Sequence, residues 1–176
     1  MRVNGSSPAA RQPLYTAEQR RRRDGSRWTL VQGVLAPLQF VIFLVSLWLV
    51  VRFLMTGEGE TAATLSIVVK TLVLYAIMIT GSIWEKEVFG QYLFAPAFYW
   101  EDVVSMLVLA LHTAHLLALG LGLLSVTGLM VLALSAYASY VVNAAQFLVK
   151  LRAARLDKPT RSQACPDVGR IPEVAR

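Results

Sequence analysis

Apolar residues gather into about four stretches, each long enough for the roughly 20 helical residues that a bilayer core demands. They run from about Thr29 to Leu54, Ala62 to Ile83, Val103 to Leu124 and Gly128 to Val149. The connections Met55–Thr61, Trp84–Asp102 and Ser125–Thr127 are polar or interrupted by Gly and Pro. The last is so short that the third and fourth helices are expected to be antiparallel neighbours. This pattern predicts an all-α integral membrane protein: a bundle of about four transmembrane helices, with an aromatic-rich interfacial loop between the second and third. Its expected parts are a basic N-terminal segment over 1–27, a membrane domain over 28–150 and a basic tail over 151–176. The first apolar run is too long for a cleaved signal and has no small-residue cleavage site after it, so it reads as a retained span.

Composition agrees. The 176 residues are 56% hydrophobic and 16% charged, against about 45–50% and about 25% in soluble domains. Charge then sets the expected orientation. Residues 1–27 carry seven Arg against Glu18 and Asp24, and residues 150–176 carry seven Lys or Arg against three acids. The 55–61 loop has only Glu58 and Glu60. Lys and Arg are retained on the cytoplasmic side, so both termini and the 84–102 loop are expected in the cytoplasm. Beside a span, Arg20–Arg23 reads as a topology signal resting on anionic lipid rather than a nucleic-acid site. Thr16-Ala17-Glu18-Gln19 has capping-box spacing, which predicts a short basic helix ended by Asp24-Gly25. The sole cysteine, Cys165, sits in a Pro-bearing tail expected to be disordered; it allows no intramolecular disulfide and no Cys-based metal site.

Polar side chains inside the apolar stretches are costly and therefore informative. Gln32, Gln39 and Ser46 recur every seven residues around Pro37, and Ser135, Ser139, Asn143 and Gln146 form a second stripe. Both suit interhelical hydrogen bonds. Lys70 lies near the middle of the second stretch, where it needs an anion, an internal partner or a route to the interface. His112 and His115 share one helical face with Glu101, Ser105 and Val108. Each histidine could give an axial nitrogen to a metallated tetrapyrrole or simply pack with a hydrogen bond. No further ligand of the usual kind lies in the spans, so no metal site of the protein's own is expected.

The segment WEKEVFGQYLFAPAFYWED holds seven of the seventeen aromatics: Trp84, Phe89, Tyr92, Phe94, Phe98, Tyr99 and Trp100. It also holds Glu85, Glu87, Glu101 and Asp102. An aromatic belt explains Trp84 and Trp100 but not the density of rings between them. Gly90 and Pro96 suggest a shaped re-entrant or interfacial segment. A broad apolar floor edged by acids suits a flat hydrophobic substrate and proton transfer, since a carboxyl in such surroundings keeps the proton that a general acid must give.

The strings YTAEQRRRRDGSRWTLVQGVLAPLQF, LVSLWLVVRFLMTGEGETAATLSIVVKT and TGSIWEKEVFGQYLFAPAFYWEDVVSMLVLALHT closely resemble the 3-vinyl bacteriochlorophyllide hydratase family (2-vinyl in older ring numbering). The resemblance covers about Tyr15–Arg155. It implies a lyase of bacteriochlorophyll synthesis in anoxygenic phototrophs, which adds water to the ring-A vinyl group to give a 1-hydroxyethyl group. It further implies the bacterial inner membrane, cytoplasmic or intracytoplasmic, as location. No redox cofactor is implied, and magnesium enters only within the substrate. The expected partners are a magnesium tetrapyrrole with a free propionate, the lipid bilayer and other pigment-synthesis enzymes; so small a bundle is also compatible with a homodimer.

The resemblance carries no catalytic residues with it, so roles are assigned by chemistry and position. Glu101 is expected to be the acid, Glu85 to orient water, and His112 to ligate magnesium or act as an alternative base. Lys70 is expected to pair with the propionate. Trp84, Tyr92, Phe94, Phe98, Tyr99, Trp100 and His115 are expected to bind the macrocycle. Asp102 and Glu87, about 100° away around their helices, are expected to point elsewhere. The alternative is a non-catalytic pigment carrier or assembly factor, which would need no buried acids.

Overall fold

The computed structural model describes residues 14–156. Five helices are found among them: α1 (Ala17–Gly25), α2 (Arg27–Thr56), α3 (Glu60–Phe89), α4 (Tyr99–Gly120) and α5 (Val126–Leu156). No strand is present among the described residues. Four helices are long and apolar enough to cross a membrane, with candidate spans of 30, 30, 22 and 28 residues. At 1.5 Å per residue even the shortest reaches about 33 Å, enough for a hydrocarbon core of about 30 Å. Cys165 and the Pro-bearing tail lie outside the described residues.

Local signals set most of the boundaries. Thr16 caps α1 through the expected capping box, accepting from the Gln19 N–H while the Gln19 side chain accepts from the Thr16 N–H. Ser26 then caps α2, so the basic helix and the first span are separated by a single residue. Pro37 lies inside α2 without ending it. Gly90, at φ 87°, ends α3, its N–H donating to the Lys86 carbonyl; that left-handed conformation is cheap only for glycine.

The helices pack as two hairpins, α2 with α3 and α4 with α5, joined by a sparser seam. Side chains mark the register of the first: Gln32 donates to Thr80 at 2.7 Å, and Ser46 bonds Ser66 at 2.7 Å. In the second, Asn143 donates to Ser105 at 2.9 Å. The core at the seam is built from Phe43, Val50, Ile67, Leu74, Val108, Met130, Tyr137 and Tyr140. Of the two stripes expected from the sequence, Gln32, Ser46 and Asn143 make hydrogen bonds between helices, Ser135 and Ser139 bond carbonyls of their own helix, and Gln39 is buried with neither polar atom partnered.

The segment between the second and third spans is shorter than its composition suggested. Helix α3 runs on to Phe89 and α4 begins at Tyr99, so only residues 90–98 form the loop. Trp84, Glu85 and Glu87 therefore belong to α3, and Tyr99, Trp100, Glu101 and Asp102 to α4. Acids in the first turn of α4 also favour that helix start through its dipole.

Candidate active site

At the loop end of the bundle, acidic side chains from α3 and α4 turn inward. Glu85 and Asp102 are both buried. The Glu85 carboxyl lies against that of Asp102 and the Ala95 backbone N–H. Asp102 Oδ2 accepts the Phe94 N–H at 2.7 Å. Phe94 is held at φ 60°, the only positive φ of a non-glycine among the described residues. A left-handed L-residue persists only when its surroundings hold it there; here the Asp102 carboxylate and the following Phe98 N–H to Ala95 carbonyl bond, 2.7 Å, are the holding contacts. Glu85 Oε2 is buried with no hydrogen-bond partner, leaving one free carboxyl valence in the cluster.

Glu101, one residue earlier on α4, faces the other way. It accepts from Lys150 of α5 at 2.5 Å, and the Lys150 ammonium also lies 4.9 Å from the Phe98 ring centroid. Glu87 accepts from Ser26 at 2.6 Å, tying α3 to the start of α2.

The aromatic segment divides in two. Phe98 is fully buried in an inner cluster with Tyr15, Trp84, Phe89 and Phe147. Trp84 Nε1 donates to Thr29 at 2.9 Å, satisfying the indole. Arg23 sits 4.8 Å from the Tyr15 ring centroid, and burial pushes the Tyr15 phenol up from its ordinary value. These rings bind α1 and the ends of α3, α4 and α5 together. Tyr92, Phe94, Tyr99 and Trp100 form the outer set, with Trp100 70% exposed. Phe94, Tyr99 and Trp100 follow one another at centroid distances of 5.8 and 5.6 Å, and the Lys86 ammonium lies 5.1 Å from the Tyr92 ring.

Deeper in the bundle lies a second polar cluster. Lys70 has no exposed surface, and its ammonium is 2.7 Å from His112 Nε2. His112 Nδ1 is 2.8 Å from the Val108 carbonyl. That contact needs a proton on Nδ1, which makes Nε2 the acceptor and Lys70 the donor. The rings of Tyr140, Tyr137 and Phe43 lie 4.4, 4.9 and 5.9 Å from the ammonium. Tyr137 is held in turn by Ser46 at 2.5 Å. His115 is also buried, with Nδ1 on the Leu129 carbonyl at 3.1 Å and Nε2 unpartnered. Both histidines are only 1% exposed. Among the described residues no group of three or more His, Cys, Asp or Glu side chains could hold a metal ion.

A carboxyl cluster under exposed rings is the setting that the sequence resemblance calls for, and comparison with known proteins decides the family. The profile of the 2-vinyl bacteriochlorophyllide hydratase family matches residues 15–153. The chain belongs to this family. It is 66% identical over 154 residues to the 2-vinyl bacteriochlorophyllide hydratase of Cereibacter sphaeroides, covering 86% of this chain and 95% of that one. It is 64% identical over 153 residues to the protein of the same name from Rhodobacter capsulatus, covering 87% and 89%. No solved structure matches the chain.

Within this hydratase-family bundle, the expected site residues fall into four groups rather than one, of which Trp84 and Phe98 make up the first, packed into the inner aromatic cluster. Glu85, Phe94, Tyr92, Tyr99 and Trp100 surround the loop end. Glu101 stands beside them, engaged by Lys150. Lys70, His112 and His115 lie apart, in the centre. Asp102 diverges from Glu101, as the 100° step implies, but that direction leads to Glu85 rather than away from the acids. Helix α4 has a neighbour on either side, so consecutive residues can both be buried, Asp102 toward α3 and Glu101 toward α5. Lys150, just past the fourth apolar stretch, meets Glu101 although it lies about five residues farther from the α4–α5 turn, a gap that its long side chain spans.

Proposed function

We propose that the chain hydrates the ring-A 3-vinyl group of a bacteriochlorophyllide-type magnesium tetrapyrrole, giving the 3-(1-hydroxyethyl) product. The observation that carries this reading is the buried Glu85–Asp102 pair, with a free Glu85 oxygen, next to the exposed rings of Phe94, Tyr99 and Trp100. The macrocycle lies against those rings. One carboxyl of the pair, in its protonated form, gives a proton to the terminal vinyl carbon, and the positive charge that develops on the ring-attached carbon is delocalised by the macrocycle. Water attacks that carbon, and the partner carboxylate takes the proton the water loses. Protons balance and no electron is exchanged, so the reaction needs no redox cofactor, and the only metal involved is the substrate's magnesium. Glu101, the acid expected from position alone, has its oxygen engaged by Lys150; the unpartnered oxygen of Glu85 favours Glu85 as donor.

The reading extends to orientation. With Arg20–Arg23 and Arg27 before the first span, Lys150 and Arg152 at the end of the last, and Glu58 and Glu60 in the opposite loop, the positive-inside rule puts both termini and the 90–98 loop in the cytoplasm of a bacterial inner membrane.

Membranes from a host that makes no chlorophyll, with and without the protein, are incubated with 3-vinyl chlorophyllide in isotopically labelled water. Mass spectrometry is expected to find a product heavier by one labelled water only where the protein is present. Pigment that is bound and returned unchanged would establish a carrier instead.

A further inference from the structure

The cation expected to meet the substrate's carboxylate is Lys70, yet Lys70 is sealed by His112 and three aromatic rings and has no exposed surface. The loop end offers another. Along one face of α5, beside Glu101 of α4, a shallow and open apolar groove of about 620 Å³ is lined by Glu101, Val142, Ala145, Gln146, Val149, Lys150 and Ala153. On α5, positions 142, 145, 146, 149, 150 and 153 fall on one helical face, and the two alanines keep that face low. At one edge of the groove stands the Lys150–Glu101 pair, its side chains 25% and 10% exposed. Tyr99 and Trp100 stand at the same end of α4 as Glu101, although neither lines the groove.

Lys150 is held but not saturated. An ammonium has three donors; one goes to Glu101 at 2.5 Å, and the Phe98 ring covers the ammonium at 4.9 Å. Val149 beside it is exposed and apolar, so an ion arriving here leaves water on one side, where a charge-assisted hydrogen bond is strong. Gln146 adds a buried Oε1 with no partner to the same wall.

We propose that Lys150 is the residue that recognises the free carboxylate of the tetrapyrrole, with the macrocycle on the outer rings at the start of α4, its carboxylate side chain reaching the adjoining α5 face, and Glu101 positioning the ammonium. This rests on the hydratase reading for the identity of the ligand, but it concerns binding alone. The neutral ester of the same pigment fits the same rings and lacks the partner for Lys150. The site thus sorts an acid from its ester at the point where the two differ.

The test measures binding of chlorophyllide a and of its methyl ester to the full chain in lipid nanodiscs, each corrected for empty nanodiscs. The wild type is expected to prefer the acid roughly ten-fold, the size of one charge-assisted hydrogen bond. Lys150→Met is expected to bind the ester as the wild type does, which also reports correct insertion, and to lose the preference for the acid. Lys150→Arg is expected to keep it. A wild type that binds acid and ester alike overturns the proposal whatever the variants do. So does a Lys150→Met chain that still prefers the acid. Because no turnover is needed, failure of the hydratase reading shows separately: pigment bound with the acid preference but returned unchanged in labelled water leaves Lys150 in place and removes the reaction.

Discussion

Lys70 with His112 at the centre of the bundle, and Glu85 with Asp102 at its loop end, bridge the same two helices about 22 Å apart along α3. In the central cluster Lys70, His112 and Tyr137 meet partners supplied by the protein, while Nε2 of the neighbouring His115 stays buried without one: His112 uses one nitrogen on Val108 and the other on Lys70, and Tyr137 bonds Ser46. Aromatic faces take the place of a counter-ion. At the loop end, Glu85 keeps an oxygen unpartnered, Lys150 keeps donors in reserve, and exposed rings lie alongside. A satisfied, closed cluster is how a membrane helix pair tolerates a charge. Open valences near a ligand-sized apolar surface are how a site is kept ready.

Substitution should separate the two clusters by kind of effect. The largest is expected from Glu85→Gln, which keeps shape but removes the transferable proton. Turnover should fall about 10²–10⁴-fold, the usual contribution of general acid catalysis, with pigment binding unchanged in nanodiscs. Glu101→Gln should lose less; if it loses more, the acid is Glu101 and the free Glu85 oxygen has another use.

Next in size is His112→Ala. It takes the one polar acceptor from a buried ammonium, and leaving such a charge uncompensated costs about 3–5 kcal/mol. Thermal unfolding in detergent should show that loss. The double variant Lys70→Met with His112→Leu replaces both polar groups and should recover most of it, with hydration activity retained. Activity lost in a stable double variant would place the central cluster in the chemistry.

How much of this the sequence disclosed differs between the clusters in the same way. Apolar run length disclosed the four spans, and the Thr16–Gln19 spacing disclosed the cap of α1, because both are local properties. The identities of Lys70 and His112 as anomalies were equally legible, since a polar residue in an apolar run stands out by itself, and Glu85 stood out as one of four acids among the rings of the 84–102 segment. Their partners were not. Whether Lys70 meets a ligand or His112 depends on how one hairpin docks on the other, and the burial of Asp102 depends on α4 having neighbours on two sides. Composition also overstated the loop: aromatic residues, Gly90 and Pro96 look irregular from 84 to 102, but helix hydrogen bonds continue through both ends of that stretch.

The smallest expected effect concerns Phe94. Its left-handed backbone costs an L-residue about 1–2 kcal/mol, and its ring belongs to the outer set. Phe94→Ala loses the ring and keeps the strain; Phe94→Gly loses the ring and relieves it. The glycine variant should therefore be more stable by about 1 kcal/mol, while both raise KM alike. Equal stability would mean that the Asp102 bond to this backbone imposes no strain.

The seam between the hairpins has a consequence for how the protein is made. Glu85 and Trp84 arrive with the first hairpin, and Asp102, Phe147 and Lys150 with the second. While only the first half of the chain has left the ribosome, there is no acid pair and no groove. On the proposed site, a nascent or truncated hairpin thus lacks the groups that would hold a pigment and give it a proton. Competence appears in one step, when the second hairpin is inserted beside the first, so assembly itself acts as the licence for chemistry.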